Sequence, residues 1–203
     1  DANTTAHNNT SIGYATLGTN TTGASNTALG SSALFSNTTA SDNTAVGKSA
    51  LELNTTGAQN VAVGSKSLDA NTTGGENVAL GYEALTKNTT ASQNVAVGAY
   101  ALEDNTTGAS NVAVGYQALV ENTTASNNTG IGYFALNKNT TGTENVAVGS
   151  DALKANTTAS YNTCIGHQSG EKITTGESNI VIGARAGDEL TTAGQNTIIG
   201  QGA

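Results

Sequence analysis

The chain repeats itself every 17 residues along its whole length. The triplet Asn-Thr-Thr returns in the same phase ten times, and two further repeats keep the phase with Ile-Thr-Thr and Leu-Thr-Thr. We number the positions of a repeat from 1, at the first residue of this triplet, to 17. A short fixed period is typical of a solenoid, in which each repeat forms one coil stacked on the previous one. We therefore expect residues 1–203 to form one repeat domain, with coils starting at residues 3, 20, 37, 54, 71, 88, 105, 122, 139, 156, 173 and 190.

The residue types within the repeat favour strand over helix. Positions 7–10, as in Asn60-Val61-Ala62-Val63, place β-branched residues at alternate positions, and position 11 is Gly in every repeat. Because a glycine disfavours helix and recurs in every repeat, too few uninterrupted residues remain for a helical coil. We predict an all-β parallel β-solenoid, or β-roll, of twelve 17-residue coils. Each coil is expected to contain two short strands, at positions 7–10 and near positions 15–3, with coils about 4.8 Å apart.

The alternation within the first predicted strand places positions 8 and 10 on one face and position 9 on the other. Since positions 8 and 10 hold the larger apolar residues, we expect them in the interior together with position 15, with small Ala at position 14. Val95, Val97 and Leu102 are examples. Late in the chain, position 15 changes from Leu to Gly while position 1 changes from Asn to Ile173 or Leu190. This exchange predicts that position 1 points inward and position 2 outward.

Position 7 is Asn in all twelve repeats. Side-chain amides stacked at the coil spacing can hydrogen-bond along the axis of the solenoid, as they do in other stacked parallel strands. We therefore predict a structural ladder of asparagines, formed by Asn26, Asn43, Asn60, Asn77, Asn94, Asn111, Asn128, Asn145, Asn162 and Asn179.

The segment Thr141–Leu153, which reads TGTENVAVGSDAL, resembles the head repeat of trimeric autotransporter adhesins. Similar rows also look like those of phage tail-fibre and marine surface proteins. The resemblance extends over the whole chain, because the whole chain is repeat. It implies a left-handed parallel β-roll, three chains together, on a cell or virion surface. The repeat is longer than the usual adhesin repeat, and the chain shows no coiled-coil stalk and no membrane anchor.

Composition excludes several classes of function. The chain has 15 acidic and 7 basic residues and a net charge of -8, so we expect no nucleic-acid partner. No apolar run is long enough to cross a membrane. His7 and His167 lie about nine coils apart and cannot share a site, and Cys164 occupies a position that usually holds Ala. We expect no enzyme activity, no catalytic or metal-binding residues and no cofactor.

Three surface features carry further predictions. Tyr82, Tyr116 and Tyr133 share position 12 and Tyr100 lies beside them at position 13, which suggests a strip that binds a glycan or receptor. The Asn-Thr-Thr triplets match the acceptor pattern for N-linked glycans. The threonines at positions 2 and 3 of every repeat suggest ice binding. An ice-binding surface needs two outward ranks two residues apart, however, and of two adjacent positions only one can face outward. The candidate glycosylation sites are Asn20, Asn37, Asn54, Asn71, Asn88, Asn105, Asn122, Asn139 and Asn156.

The first coil resembles an interior coil, and the last contains Ile198 and Ile199. Since an open solenoid end is an unpaired strand edge, we expect the chain to be an extracellular structural subunit that stacks head to tail into a surface filament. The alternative is the receptor- or carbohydrate-binding head or shaft of a homotrimeric adhesin or tail fibre. In either case the expected main partner is another copy of the chain.

Overall fold

The predicted parallel solenoid is confirmed. The computed structural model describes residues 5–203, so Asn3, where the first repeat starts, lies outside the described residues. Within that range no helix long and apolar enough to cross a membrane is found. One three-residue strand forms in each coil, and the twelve strands make a single sheet in chain order. The strands are β1 (Thr10–Ile12), β2 (Thr27–Leu29), β3 (Thr44–Val46), β4 (Val61–Val63), β5 (Val78–Leu80), β6 (Val95–Val97), β7 (Val112–Val114), β8 (Thr129–Ile131), β9 (Val146–Val148), β10 (Thr163–Ile165), β11 (Ile180–Ile182) and β12 (Thr197–Ile199).

The stacking register equals the sequence period. Val61 of β4 lies opposite Val78 of β5, and Val78 lies opposite Val95 of β6. The pairing is parallel throughout, from β1 with β2 to β11 with β12. Every residue of β2–β11 therefore has as its neighbours the residues 17 positions before and after it, and β1 and β12 each have one such neighbour.

The second strand expected near positions 15–3 does not form. Leucines at position 15 have left-handed backbones, with φ of 52° at Leu85 and 51° at Leu102, and this conformation interrupts an extended segment. The segment still bonds to the next coil, since Leu102 N donates to Ala118 O at 3.1 Å and Thr106 N donates to Thr123 O at 2.9 Å. A coil therefore consists of one strand and a series of bends that are also hydrogen-bonded between coils.

The expected orientation of the strand is wrong. The middle residue of the strand, at position 9, is buried in β2–β11, whereas the residues at positions 8 and 10 are all at least partly exposed. Val95 and Val97 therefore face outward and Ala96 faces inward. The expected interior positions 14 and 15 are correct, since Ala101 and Leu102 are fully buried.

The narrowness of the interior explains this orientation. A Cβ atom added at Gly130, the position-9 residue of β8, would lie 3.3 Å from side-chain carbons of Leu119 and 3.2 Å from the carbonyl oxygen of Ala135. Such contacts are tight even for a methyl group, so a Val or Ile at position 9 cannot fit while position 15 is Leu. The larger residues at positions 8 and 10 are placed outside because there is no room for them inside.

The late coils support the same explanation. Position 15 becomes Gly170 and Gly187, and position 9 then enlarges from Ala to Cys164 and Val181. Cys164 Sγ and Ile173 Cδ1 lie 2.7 and 2.9 Å from where a Cβ of Gly170 would be, so they occupy the space that a leucine fills in other coils. Ile173 is fully buried, which confirms that position 1 points inward.

Candidate functional site

Two asparagine ladders run inside the rod, parallel to its axis. At position 7, Asn94 Oδ1 accepts hydrogen bonds from the backbone N of Asn111 at 2.9 Å and from Asn111 Nδ2 at 3.2 Å. Asn94 Nδ2 donates to the carbonyl oxygen of Gly108 at 2.9 Å. The ten predicted ladder residues, from Asn26 to Asn179, are all fully buried. This ladder joins each coil to the next twice, through the amide of position 7 and through the position-4 carbonyl of the following coil.

The second ladder lies at position 1, where glycosylation was considered. Asn105 Nδ2 donates to Asn88 Oδ1 at 3.1 Å and to Gly108 O at 2.9 Å, and the same pattern runs from Asn20 to Asn156. These nine amides are at most 2% exposed. A glycan on any of them would need space that the interior does not have. The predicted glycan attachment is therefore incompatible with the folded rod.

The position-1 ladder ends where its sequence changes. Asn156 Oδ1 has no hydrogen-bond partner within the described part of the chain, because Ile173 follows it on the next coil and has no donor. An unpaired buried acceptor is destabilising. The last coils thus exchange one amide contact for the apolar packing of Ile173.

Replacing Asn105 with Ala is expected to lower the free energy of unfolding by about 2–4 kcal/mol, because a buried acceptor and a buried donor lose their partners at once. Urea denaturation measures this loss. Thr107→Ala in the same coil is the control, since Thr107 is exposed and we expect a change of roughly 0.5 kcal/mol or less. Equal effects of the two substitutions would show that the ladder does not stabilise the rod.

The outward face of the sheet is uncharged along the whole rod, and three quarters of its residues are aliphatic. Positions 8 and 10 hold only Thr, Val, Leu and Ile in all twelve strands. Towards the two ends of the sheet Ile12 is 61% and Ile199 is 67% exposed, and Val63 in between is 38% exposed. We call these 24 residues the sheet face. Contiguous apolar surface of this extent is typical of an interaction site.

A strip of aromatic side chains lies on the turns beside the sheet face. It consists of Tyr82, Tyr100, Tyr116, Tyr133 and Phe134, which we call the aromatic strip. Ring centroids of successive tyrosines are 5.4, 5.9 and 5.6 Å apart. The first two contacts are edge-to-face, and the third, between Tyr116 and Tyr133, is stacked. The structure therefore brings the four predicted tyrosines together with Phe134, whose ring centroid is 4.2 Å from that of Tyr133.

Ion pairs lie at both ends of the aromatic strip. Lys66 Nζ is 3.2 Å from Glu83 Oε1, and Lys154 Nζ is 2.8 Å from Asp151 Oδ1. A hydrogen bond between the Tyr82 hydroxyl and Glu83 raises the pKa of the tyrosine and lowers the pKa of the carboxyl group. Lys154 also lies over the Phe134 ring, 5.0 Å from its centroid. The strip is thus apolar in its centre and electrically balanced at its ends.

The threonines of the triplet present only one exposed rank. Position 2 is half-buried, and its hydroxyl donates to the carbonyl of the next coil, as Thr106 Oγ1 does to Thr123 O at 3.0 Å. Position 3, for example Thr107, is exposed. Two outward ranks two residues apart, the arrangement that ice binding requires, occur instead at positions 8 and 10. Sequence reasoning missed this face because it assigned those residues to the interior.

Cys164 and the two histidines do not form a common site. His7 and His167 are both exposed, whereas Cys164 is fully buried at position 9. Burial raises the pKa of the Cys164 thiol to about 12, although a hydrogen bond with Ser169 acts in the opposite direction. Residues 5–203 contain no group of three or more His, Cys, Asp or Glu side chains that could hold a metal ion.

Cys164 is expected to be unreactive toward a thiol reagent such as Ellman's reagent at pH 8 in the folded rod, and to react fully in urea. The pKa of the thiol is raised in the folded state, so stability is unaffected well below pH 9. As the pH rises from about 9 toward 12, the thiol loses its proton in the unfolded chain but keeps it in the folded rod. The free energy of unfolding therefore falls over this range. Cys164→Ala should remove this alkaline decrease. Rapid labelling of native protein would contradict the burial of the thiol.

Comparisons with known proteins give no relative for this chain. No protein-family model matches it. The curated proteins and the solved structures likewise contain no significant match.

Proposed function

We propose that the protein is a structural rod that assembles side by side with copies of itself through the sheet face, forming the shaft of an extracellular fibre. The sheet face carries this proposal, since it is a continuous apolar surface as long as the rod. The resemblance of the repeats to the heads of trimeric adhesins supports self-association. A location on a cell or virion surface is part of the same proposal and rests on that resemblance.

The size of the sheet face fits an interface between subunits. Ten of the 24 side chains are exposed and fourteen are half-buried. At on the order of 100 Å² for each fully exposed Val, Leu or Ile, they together offer several hundred Å², part of which belongs to threonine hydroxyls. A stable interface buries roughly 800 Å² on each partner. Monomeric proteins rarely expose contiguous apolar patches of more than a few hundred Å². The face is thus large enough to hold subunits together.

The composition of the sheet face supports close packing against a partner. Nine of the twelve coils carry six apolar side-chain carbons on this face, either as Val with Val or as Thr with Ile or Leu. Thr10 with Ile12 and Val112 with Val114 are examples. A face in contact with water alone sets no limit on the apolar volume of each coil. A partner packed at a constant distance requires the same apolar volume in each coil, because both voids and overpacking are destabilising.

A second copy of the chain is the partner that matches this face. Any partner must present apolar groups that repeat at the coil spacing along the full length of the sheet, and the sheet face itself meets this requirement. The absence of charge on positions 8 and 10 means that no repulsion opposes the contact of two identical faces. Symmetric self-association is also the commonest form of oligomer.

Analytical ultracentrifugation of the purified protein over a range of micromolar concentrations tests this proposal, together with negative-stain electron microscopy. We expect a discrete oligomer whose width exceeds one rod. A species that stays monomeric at all concentrations would overturn the proposal. If that monomer also shaped growing ice crystals, the sheet face would bind ice instead.

Head-to-tail stacking stays a prediction of the repeat pattern. It is independent of side-by-side assembly, because it would join coils along the axis and not sheet faces. Long filaments in the same micrographs, with the coil spacing continuous across junctions, would support it. Rods of one uniform length would count against it.

A further inference from the structure

The aromatic strip is the second surface of the rod that its own fold does not explain. Apart from Tyr14 in the first coil, the other coils hold small or polar residues at position 12, such as Ser65, Ser150 and Gln201, and the sheet continues through these coils unchanged. Five rings on four consecutive coils, 5–8, are therefore not needed for stacking. Tyr82 is 44%, Tyr116 is 42% and Tyr133 is 52% exposed, so about half of each of these side chains remains in contact with water.

The spacing of the rings follows the axis of the rod. Successive tyrosine centroids are separated by 5.4–5.9 Å, slightly more than the coil spacing of about 4.8 Å. Tyr116 and Tyr133 are stacked with their centroids 5.6 Å apart, which is too far for full overlap, so the rings are offset and part of each face is open. Tyr82, Tyr100 and Tyr116 meet edge-to-face, so their rings do not share one plane. The strip is thus a row of apolar rings, some presenting a face and some an edge, with an advance of about 5 Å per coil.

The charges around the strip restrict the chemistry of a ligand. Lys66 pairs with Glu83, and Lys154 pairs with Asp151. Each of these two ion pairs has no net charge. The whole chain carries a net charge of -8, so an anionic polymer would be repelled at longer range. Tyrosine hydroxyls supply polar groups along the strip, and the polar residue Gln117 follows Tyr116 in the same coil. A linear ligand without charge, with apolar faces and many hydroxyls, fits this surface.

We propose that the aromatic strip binds a neutral glycan with an extended β-linked backbone, lying along the axis of the rod. The sugar-to-sugar advance of such a chain is of the same order as the coil spacing of about 4.8 Å, so successive sugars meet successive rings. Sugar C–H groups pack on the exposed parts of the rings, and sugar hydroxyls bond to the tyrosine hydroxyls. This inference does not depend on side-by-side assembly of the rods.

Affinity electrophoresis in native gels tests the proposal with four soluble polymers of the cellulose, mannan, xylan and chitin types. We expect at least one of them to retard the protein. Titration with the corresponding hexasaccharide should change tyrosine emission, which is a direct readout because the chain has no Trp and four of its six tyrosines lie in the strip. In the double variant Tyr116→Ser/Tyr133→Ser, the affinity for the hexasaccharide should fall by at least roughly tenfold.

Tyr161→Ser is the matched control, because Tyr161 is 56% exposed but lies at position 6, outside the strip. It should bind as the unmodified protein does. The serine substitutions reproduce the residues that other coils hold at position 12, so the variants should fold, and circular dichroism checks this. Retention of binding in the double variant, or equal loss in Tyr161→Ser, would overturn the proposal.

Three further results would overturn it. They are no retardation by any of the four polymers, preferential binding of alginate or single-stranded DNA, and loss of self-assembly in the double variant, which would show that the strip is an interchain contact. Failure of the unmodified protein to assemble, with glycan binding intact, would reject the proposed fibre function and leave this inference standing.

Discussion

Replacing Val114 with Asp is expected to dissociate the assembled rods while each rod stays folded. Val114 is at position 10 and points out of the sheet, so a carboxylate there meets water in a single rod. In an assembly it would be buried without a partner, which costs several kcal/mol. We expect the dissociation constant of the oligomer to rise by more than about 100-fold. Sedimentation velocity measures the change, and hydrogen exchange reports whether the coils remain intact.

Ser110→Asp in the same coil is the control for added charge. Ser110 is exposed at position 6, where another coil already holds Asp42 with nearly the same backbone conformation. The control should assemble normally. Undiminished assembly of Val114→Asp would show that the sheet face is not the interface, whereas equal loss in both variants would indicate a general effect of charge.

Replacing Gly98 with Ala is expected to destabilise the rod by about 3–5 kcal/mol, because two effects add. Gly98 has φ of 132°, which an L-residue rarely adopts. A Cβ atom there would also lie 2.5 Å from the carbonyl oxygen of Gly115 on the next coil. Since that oxygen belongs to the backbone, it cannot move without disturbing the stack. Thermal and urea denaturation measure the loss.

Gly200→Ala separates the two effects. Gly200 has φ of 133°, but the nearest heavy atom to its added Cβ is 3.6 Å away, on Ala203. This variant has the backbone strain without the collision, and we expect about 1–2 kcal/mol. If the two alanine variants lose the same stability, close approach of the coils is not the reason for glycine at position 11.

The period alone was enough to predict the architecture. A 17-residue repeat without insertions requires each residue to meet its equivalents above and below, and the pairing of Val61 with Val78 and of Val78 with Val95 confirms this. The asparagines at position 7 were predictable for the same reason, because identical amides at the coil spacing satisfy one another. Stacking depends on repetition, which can be read directly from one sequence.

The direction of the strand was not predictable from alternation. Alternation separates two faces but does not say which one is inside. Hydrophobicity placed the valines of positions 8 and 10 inside, whereas the narrow interior accepts only the smaller alanine of position 9. The deciding quantity is the available volume. One signal in the sequence could have shown it, since position 9 enlarges to Cys164 and Val181 where position 15 shrinks to Gly170 and Gly187. Residues that exchange volume in this way share one space.

The missing second strand had a different cause. Leucine at position 15 adopts a left-handed backbone, as at Leu102 with φ of 51°, which leucine propensity does not suggest. Position 15 is also held by glycine, as at Gly170 with φ of 58°, and glycine is the residue that favours this conformation. The aromatic strip was visible from the repeat, because positions 12 and 13 of adjacent coils must be neighbours, whereas its ion pairs needed side-chain geometry.

The equivalence of the coil junctions has a consequence for how such a rod changes length in evolution. A coil duplicated within residues 20–155 would meet the same neighbours as the original, since both amide ladders and the sheet continue across it. In-frame gain or loss of one repeat unit in the gene would thus lengthen or shorten the shaft by one step and leave its cross-section intact. The later coils, with Ile173 and Leu190 at position 1, lack this freedom because their interiors differ from their neighbours'. The length of the rod can therefore vary among descendants of such a gene without a new fold.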